Sequence, residues 1–363
     1  MEEDSDFERF LTFVSLEEPD RVPLAELLAD LDIIKAMVGK ETLDLEDYIK
    51  FYRKAGLDYV RVLADGRDAF FGSLISGQIE KTHRYSLYSE ETTRTWAPEH
   101  EGLIRTSEDL EKIRSFDTSQ IHASTAEKLR KILDKKYPKM GLMAGFGDVF
   151  TTTWMLRGFT NFCRDLYRNR GLIKSIYEKV SEVALHECKV LIEAGVDAVW
   201  PSDDIAHIDG TLVSPRDLRE FFFPWLREVG KLAKKHSLPV IYHSDGDLTK
   251  VMDDIINARV DAIQPIEPKA MDIVEVKEKW GDKLALIGNI DLDYTLTLGT
   301  VEDVVKLVKE RIRQLAPGGG YAVGTSNTVT HYVKLENYKA MIDTTKKWGK
   351  ISNKNNLTNL SLV

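Results

Sequence analysis

Short β-rich apolar runs alternate with longer segments of helical periodicity along most of this chain, and this alternation most constrains its fold. The pattern is typical of parallel strands joined by covering helices. Eight runs qualify as strands, which is the number that closes a (β/α)₈ barrel. They lie at residues 21–25, 59–64, 140–146, 196–201, 238–243, 260–265, 284–289 and 320–325. We therefore predict an α/β fold, a (β/α)₈ TIM barrel.

The interval between the second and third predicted strands is too long for one crossover helix. Within it, Thr92 to Arg105 alternates as polar strand material around Pro98 and Gly102, so we expect an N-terminal hairpin and helical excursion there. Residues 351–363 lose helical periodicity and are rich in Asn and Ser, which predicts a loose C-terminal tail. Because no shift in composition divides the rest, residues 1–350 are expected to form a single barrel domain.

Helix boundaries can be placed in two of the crossover segments. Ser214 and Pro215 offer an N-cap and a first-turn proline for a helix running to about Lys235. Residues 171–194 carry one apolar stripe and end near Gly195, which predicts a barrel-covering helix.

Charge and composition argue against several classes of partner. The formal net charge is -9, and Lys and Arg are interspersed with Asp and Glu, so a nucleic-acid partner is not expected. Met1 to Phe10 is acidic and lacks the features of a signal peptide, and no apolar run approaches the length of a membrane span. We expect a cytoplasmic protein without membrane association, in which Cys163 and Cys188 are reduced core thiols.

Candidate functional residues are the polar side chains at the carboxyl ends of the predicted strands, where barrels of this kind build their active sites. Those that meet this condition are Asp65, Asp203, Asp204, His243, Asp245, Glu267, Asn289, Asp291, Thr325 and Ser326.

His243 and Asp245 form the sharpest local feature in this set. Residues two apart on an extended segment point the same way, so both side chains could reach one metal ion or substrate. The alternative is that Asp245-Gly246-Asp247 is a strand-to-helix turn whose aspartates cap the next helix. Both interpretations stay open at this point.

The other acidic candidates are also open to two interpretations. The adjacent carboxylates of Asp203 and Asp204 suit substrate or metal binding. The alternative is that both are solvated residues of a surface loop. Glu267, between two prolines, is either a ligand or a hydrogen-bond acceptor that fixes its loop.

Two further features have a structural and a functional interpretation. The glycines at 318–320 favour a tight turn over an anion site. The bulky cluster at 221–226 favours core packing over a partner surface.

Taken together, the ordered motifs resemble the uroporphyrinogen decarboxylase superfamily, which also includes methyltransferases that act with corrinoid proteins. The resemblance spans nearly the whole chain. The matching stretches are GLDYVRVLAD (56–65), WMLRGFTNFCRDL (154–166), residues 202–224 with the Asp pair and SPRDLREFFFP, PVIYHSDGDL (239–248), DAIQPIEP (261–268), LALIGNID (284–291) and GGGYAVGTSN (318–327).

The departures from the family's patterns bear on its two branches. Asp65 matches the catalytic aspartate of the decarboxylases, but their arginine-rich segment is replaced by RVPLAELLADLD, and their late histidine falls at Thr325 or Ser326. The methyltransferases resemble this chain at His243, yet Asp245 stands where they have a zinc-binding cysteine, and GTSN lacks their second cysteine. A thiol acceptor is therefore not expected.

The resemblance implies a corrinoid-dependent methyltransferase of the substrate-demethylating (O-demethylation) kind, as used in anaerobic one-carbon metabolism. It would move a methyl group between a small O-methyl or N-methyl compound, a methoxyaromatic among them, and the cobalt of a partner corrinoid protein. The implied catalytic residues are His243, Asp245 and Asp65. His243, Asp245 and Glu267 are candidate ligands for zinc. The candidate substrate-binding residues are Asp203, Asp204, Asn289, Asp291 and Ser326.

Two alternative functions remain. One is a decarboxylase of a small or tetrapyrrole acid, and the other is a non-catalytic barrel that binds a corrinoid or tetrapyrrole. The expected partners are the corrinoid protein and a small methyl donor or acceptor, and a homodimer is one assembly compatible with the chain.

Overall fold

The computed structural model describes residues 5–66, 80–86, 89–96 and 102–350. Within these ranges the strands, in chain order, are β1 (Tyr59–Leu63), β2 (Glu80–Ser86), β3 (Ser89–Trp96), β4 (Gly141–Gly147), β5 (Ala198–Ser202), β6 (Ala206–His207), β7 (Gly210–Thr211), β8 (Ile241–His243), β9 (Ala262–Gln264), β10 (Ala285–Ile287) and β11 (Tyr321–Ala322).

Seven of these strands form one parallel sheet in the order β1-β4-β5-β8-β9-β10-β11. Neighbours in the sheet follow one another along the chain and are joined by crossover segments, as expected for parallel βαβ units. These seven strands fall within or beside seven of the eight predicted runs, and all except β4 are shorter than their runs.

The predicted first strand, at 21–25, closes the sheet without forming a continuous ladder. Leu24 makes parallel bridges both to Leu57, just before β1, and to Val323, just after β11. The segment therefore occupies the eighth stave of the barrel. Pro23 lacks an amide hydrogen, so it accepts from Val323 through its carbonyl but cannot donate to either neighbour.

Helices cover the outside of the sheet. They are α1 (Phe7–Val14), α2 (Leu31–Val38), α3 (Leu45–Lys54), α4 (Ser107–Arg114), α5 (Ser124–Lys136), α6 (Val149–Arg157), α7 (Phe159–Arg168), α8 (Arg170–Glu193), α9 (Pro215–Asp217), α10 (Phe223–Lys235), α11 (Met252–Asn257), α12 (Ile273–Trp280), α13 (Val301–Leu315) and α14 (Leu335–Trp348). Single turns lie at Thr118–Gln120, Leu218–Phe222 and Leu292–Leu296. Across the described ranges, no helix combines the length and apolarity needed to span a membrane.

Both helices with predicted boundaries are confirmed. α8 nearly coincides with the predicted range 171–194. Ser214 caps α9 by accepting from the amide of Asp217, and a π-helical turn at Leu218–Phe222 joins α9 to α10, which ends at Lys235 as predicted.

The predicted excursion between the second and third staves is confirmed as an antiparallel hairpin of β2 and β3. It begins earlier than expected, because both strands consist mostly of polar residues and the first gave no apolar signal. Pro98 and the predicted tail at 351–363 lie outside the described residues.

Aromatic side chains fill the centre and the helix-facing side of the barrel. Tyr59 is fully buried and lies 5.4 Å from Phe10 and 6.1 Å from Trp200, between ring centroids. The bulky cluster at 221–226 is buried apart from Pro224, which confirms core packing. The glycines at 318–320 all have positive φ, which confirms the tight turn. Cys163 and Cys188 are free thiols on α7 and α8.

Candidate active site

His243 ends β8, and its side chain is oriented by the neighbouring strand. It pairs in register with Gln264 of β9, and the Nδ1 atom of the imidazole contacts the side-chain oxygen of Gln264. Both residues are buried. Because an amide oxygen can only accept, this contact requires a hydrogen on Nδ1, and the neutral imidazole with its hydrogen there has its lone pair on Nε2. The pair therefore presents Nε2 as a base or a metal ligand.

Two carboxylates face this Nε2 atom. Oδ1 of Asp204 lies 3.5 Å from it and Oδ1 of Asp245 lies 3.8 Å from it. Asp204 follows β5 and Asp245 follows β8, so the carboxyl ends of adjacent strands bring the three residues together. One potential ligand atom from each residue lies within 4.8 Å of the others. We call Asp204, His243 and Asp245 the acidic histidine cluster.

Asp245 is held in place through both its backbone and its side chain. Its amide donates to Oδ1 of Asp204 at 3.0 Å, and its Oδ2 accepts from Nδ2 of Asn327 at 2.5 Å. Its Oδ1 is buried and has no hydrogen-bond partner among the described residues. Burial raises the pKa of Asp245 to about 6, with His243 opposing the shift and Asp204 adding to it.

The cluster fits a divalent cation. An orphaned buried carboxylate oxygen, a second carboxylate and a free imidazole nitrogen converge on one point, and a cation there would satisfy all three. Nitrogen and oxygen ligands of this kind are found in catalytic zinc sites, and the exposure of Asp204 leaves one side open to a substrate.

Asp203 behaves differently from its neighbour. Its carboxylate accepts from the amides of Phe150 at 2.5 Å and Thr151 at 2.9 Å, at the start of α6. Burial, with help from Asp148, raises the pKa of Asp203 well above its ordinary value. Adjacent residues on an extended segment point in opposite directions, so Asp203 meets a helix while Asp204 meets the cluster.

Asp65 and Asp291 also bond to helix or turn termini. Asp65 accepts from the amide of Thr125 at 2.8 Å and from its hydroxyl at 2.5 Å, in the first turn of α5. Asp291 accepts from the amides of Tyr294 at 2.7 Å and Thr295 at 3.0 Å.

Asn289 and Ser326 are buried and bonded within the protein. Oδ1 of Asn289 accepts from Nε of Arg311 at 2.8 Å, and Oγ of Ser326 accepts from the amide of Leu292 at 3.0 Å. Of the sequence-predicted residues, the structure thus brings Asp204, His243 and Asp245 together. It engages Asp65, Asp203, Asn289, Asp291 and Ser326 in other contacts.

Glu267 supports the loop that carries Asp245. Its Oε2 accepts from the amide of Gly246 at 3.1 Å, and Gly246 sits at φ 87° in a turn that suits glycine. Asp247 accepts from the amide of Thr249 at 2.8 Å. The segment is therefore a turn, but the expectation that its aspartates cap the next helix is wrong, because α11 begins at Met252 without a side-chain cap. Metal binding by Asp245 and by Glu267 stays a prediction.

Sequence reasoning missed three residues of the site. Gln264 and Asn327 lay inside recognised stretches, but nothing local showed that they contact His243 and Asp245. Glu26 lay in the segment noted for its missing arginines. It is buried, and its carboxyl group contacts both the amide nitrogen and the hydroxyl oxygen of Thr325. The one available signal was that Glu26, an acidic residue, directly follows the apolar end of the predicted strand at 21–25.

Comparison with known families agrees with this architecture. The family model for uroporphyrinogen decarboxylase (URO-D) matches residues 90–348, which is more than half of the chain. The chain belongs to the uroporphyrinogen decarboxylase family. The predicted membership is therefore confirmed.

Relatives within the family carry two different activities. Over 220 residues the chain is 26% identical to the methylcobamide:CoM methyltransferase MtaA of Methanosarcina barkeri, covering 60% of this chain and 61% of that protein. Over 234 residues it is 24% identical to the uroporphyrinogen decarboxylase of Anaeromyxobacter dehalogenans (strain 2CP-C), covering 61% and 62%. The chain thus spans less than two thirds of the length of these relatives, and both activities occur at similar identity.

A solved structure shares the whole fold. A methyltransferase from Methanosarcina mazei superposes with a TM-score of 0.66 at 17% identity, covering 93% of this chain and 97% of that one. At this identity the likeness concerns the fold, and it confirms the predicted α/β barrel.

Proposed function

We propose that this protein is a corrinoid-dependent methyltransferase of the demethylating kind. It moves a methyl group between a small O-methyl or N-methyl compound, a methoxyaromatic among them, and the cobalt of a separate corrinoid protein. The observation that carries the proposal is the acidic histidine cluster at the carboxyl ends of β5 and β8. The resemblance to a methylcobamide:CoM methyltransferase supports it.

The three residues of the cluster would hold a divalent cation, with zinc as the candidate ion. Such an ion supplies Lewis acidity toward the oxygen or nitrogen that loses the methyl group. Gln264 fixes the imidazole so that Nε2 points into the cluster, and Asn327 fixes Asp245.

The ligand set favours a donor that leaves through oxygen or nitrogen over a thiol acceptor. Carboxylate oxygens are harder ligands than the thiolates implied for the thiol-activating relatives. Asp204 and Asp245 both present oxygen, and no cysteine belongs to the cluster.

In the demethylating direction, the bond from the methyl carbon to the donor's oxygen would break as the methyl group passes to the Co(I) centre of the partner corrinoid protein, which would supply the electron pair of the new bond. The bonding electron pair stays on the donor's oxygen, so negative charge develops there. The cation held by the acidic histidine cluster would offset that charge. Asp245 binds a cation only as a carboxylate, which a pKa of about 6, raised by burial, permits at neutral pH.

The proposal is tested by mixing the purified protein with a Co(I) corrinoid protein and a panel of methoxylated aromatics and methylamines. We expect a methyl-Co(III) absorption spectrum with at least one donor, and we expect His243→Ala to abolish it. Asp247→Asn, which changes a carboxylate outside the cluster, is the matched control. No methyl-Co(III) spectrum with any donor, or unchanged turnover in both His243→Ala and Asp245→Ala, would overturn the proposal. The second result would favour a structural role for the cluster.

Decarboxylation of a smaller acid is the second candidate, and the decarboxylase relatives support it. Its implied residue, Asp65, already uses both carboxylate oxygens on Thr125. Release of carbon dioxide from a candidate acid, lost in Asp65→Ala, would promote this function over methyl transfer.

A further inference from the structure

A buried carboxyl group lies on the opposite side of the barrel from His243. Glu26 follows the stave at 21–25, which is four staves from β8 in either direction round the closed sheet. It is 3% exposed, and its two oxygens each lie 3.2 Å from the amide nitrogen of Thr325. Its Oε2 also lies 2.6 Å from Oγ1 of Thr325. The proposed reaction gives this acid no direct task.

The contacts of Thr325 show which atom carries the proton. Oγ1 of Thr325 contacts two oxygens, Oε2 of Glu26 and the carbonyl oxygen of Asn327. The hydroxyl has one hydrogen and the carbonyl has none, so that hydrogen goes to Asn327. The remaining contact then requires a hydrogen from Glu26. Glu26 therefore donates to Thr325 as a neutral carboxylic acid.

The surroundings of Glu26 favour the same protonation state. Burial raises the pKa of Glu26 to about 8, although the amide of Thr325 opposes the shift. The titratable groups that face it are the phenols of Tyr59, which bonds to its backbone, and Tyr338. Both phenols are buried and neutral, so neither stabilises a carboxylate.

Asn327 connects Thr325 to the acidic histidine cluster, because its carbonyl contacts Thr325 and its side chain contacts Asp245. Its side-chain oxygen accepts from the amide of Thr328 at 2.6 Å, which turns its Nδ2 toward Asp245. That Nδ2 holds Oδ2 of Asp245 and leaves Oδ1 facing His243. The backbone carbonyl of Asn327 is therefore held by Thr325, and its side-chain amide is held by Thr328 and Asp245.

We infer that Glu26 is a positioning residue that, as a neutral acid, fixes the Asp245 carboxylate beside His243 through Thr325 and Asn327. The value of this positioning for methyl transfer rests on the proposed function. The coupling itself is a property of the folded chain and is measured without metal, corrinoid or substrate.

Amide hydrogen exchange, followed by mass spectrometry on the full chain at pH 7, tests the coupling. Thr325→Val removes the hydroxyl while keeping the shape, and Glu26→Leu removes the acid. Glu26→Gln is the matched control, because its amide can donate to Thr325 and accept from it. We expect the first two variants to exchange about fivefold to tenfold faster at the amides of Asp245 and Gly246, the scale of one lost hydrogen bond, and Glu26→Gln to match the wild type.

A double-mutant comparison separates coupling from general loosening. In an Asn327→Ala background, Thr325→Val should add no further exchange at Asp245 and Gly246. The inference is overturned if Thr325→Val, folded by circular dichroism, speeds exchange at 325–328 but not at 245–246, or if its effect persists in the Asn327→Ala background. A protein that shows the coupling but transfers no methyl group would contradict the proposed function alone.

Discussion

The side-chain oxygen of Gln264 meets Nδ1 of His243 across two neighbouring barrel strands, and both residues are buried. This contact decides which imidazole nitrogen is available to a ligand. It gives Gln264, which is fully buried, a role in orienting His243 that its amino-acid type alone does not suggest.

Gln264→Leu should weaken binding of Zn²⁺ by about 10- to 100-fold, the usual effect of losing a group that orients a metal-binding histidine. Gln264→Glu keeps an acceptor opposite Nδ1 and should retain affinity. Competition with a chromophoric chelator measures both. Wild-type affinity in Gln264→Leu would show that the imidazole is oriented by something else.

Protein purified without chelators should contain about one equivalent of zinc per chain, since the cluster offers one set of converging ligands. His243→Ala and Asp245→Ala should each lose it. Asp247→Ala, which removes a carboxylate bonded to the amide of Thr249, should keep it. Elemental analysis gives the stoichiometry. Equal zinc in all three variants would place the ion elsewhere.

Asp203→Ala and Asp204→Ala should separate stability from ligand binding. The first leaves the amides of Phe150 and Thr151 without their acceptor and should lower the free energy of unfolding by about 2 kcal/mol or more. The second removes a half-exposed carboxylate from the cluster and should chiefly reduce metal binding. Urea unfolding measures the first effect, and a larger loss of stability in Asp204→Ala would contradict the assignment.

Glu26 should make the folded protein less stable as pH rises. Its pKa is raised from 4.5 to about 8, so between these values the folded chain keeps a proton that the unfolded chain has released. Its contribution therefore declines as pH increases through this window, by at most about 5 kcal/mol at about 1.4 kcal/mol per pKa unit.

Glu26→Gln cannot titrate, so its stability relative to the wild type should increase from pH 5 to pH 8. Urea unfolding of both proteins at several pH values measures this difference. A difference that stays constant with pH would show that Glu26 has an ordinary pKa in the folded state.

The alternating strands and helices of the barrel could be predicted from the sequence, because each produces a local periodicity of apolar residues. Seven runs became parallel strands in order. The stave at 21–25 is paired by single bridges instead, since Pro23 interrupts amide donation. The family resemblance directed attention to His243, and the spacing to Asp245.

The sequence could not show that Asp203 bonds to the start of α6 while Asp204 joins the acidic histidine cluster. Both follow the same strand, and which one faces the cluster depends on the pleat at that point. Gln264, Asn327 and Glu26 were missed because their partners are distant along the chain. Asn327 and Asp245 are separated by 82 positions, and Glu26 and Thr325 by 299.

The closure of the barrel at Leu24 has a consequence for synthesis of the protein. The first stave stays without one of its two neighbours until the residues around Val323 have been made. The contacts that organise Asp245 therefore arise only when nearly all described residues have left the ribosome. Shorter nascent chains would contain His243 and the strands on both sides of it. They would still lack the contacts from residues 325–327 that hold Asp245 in place.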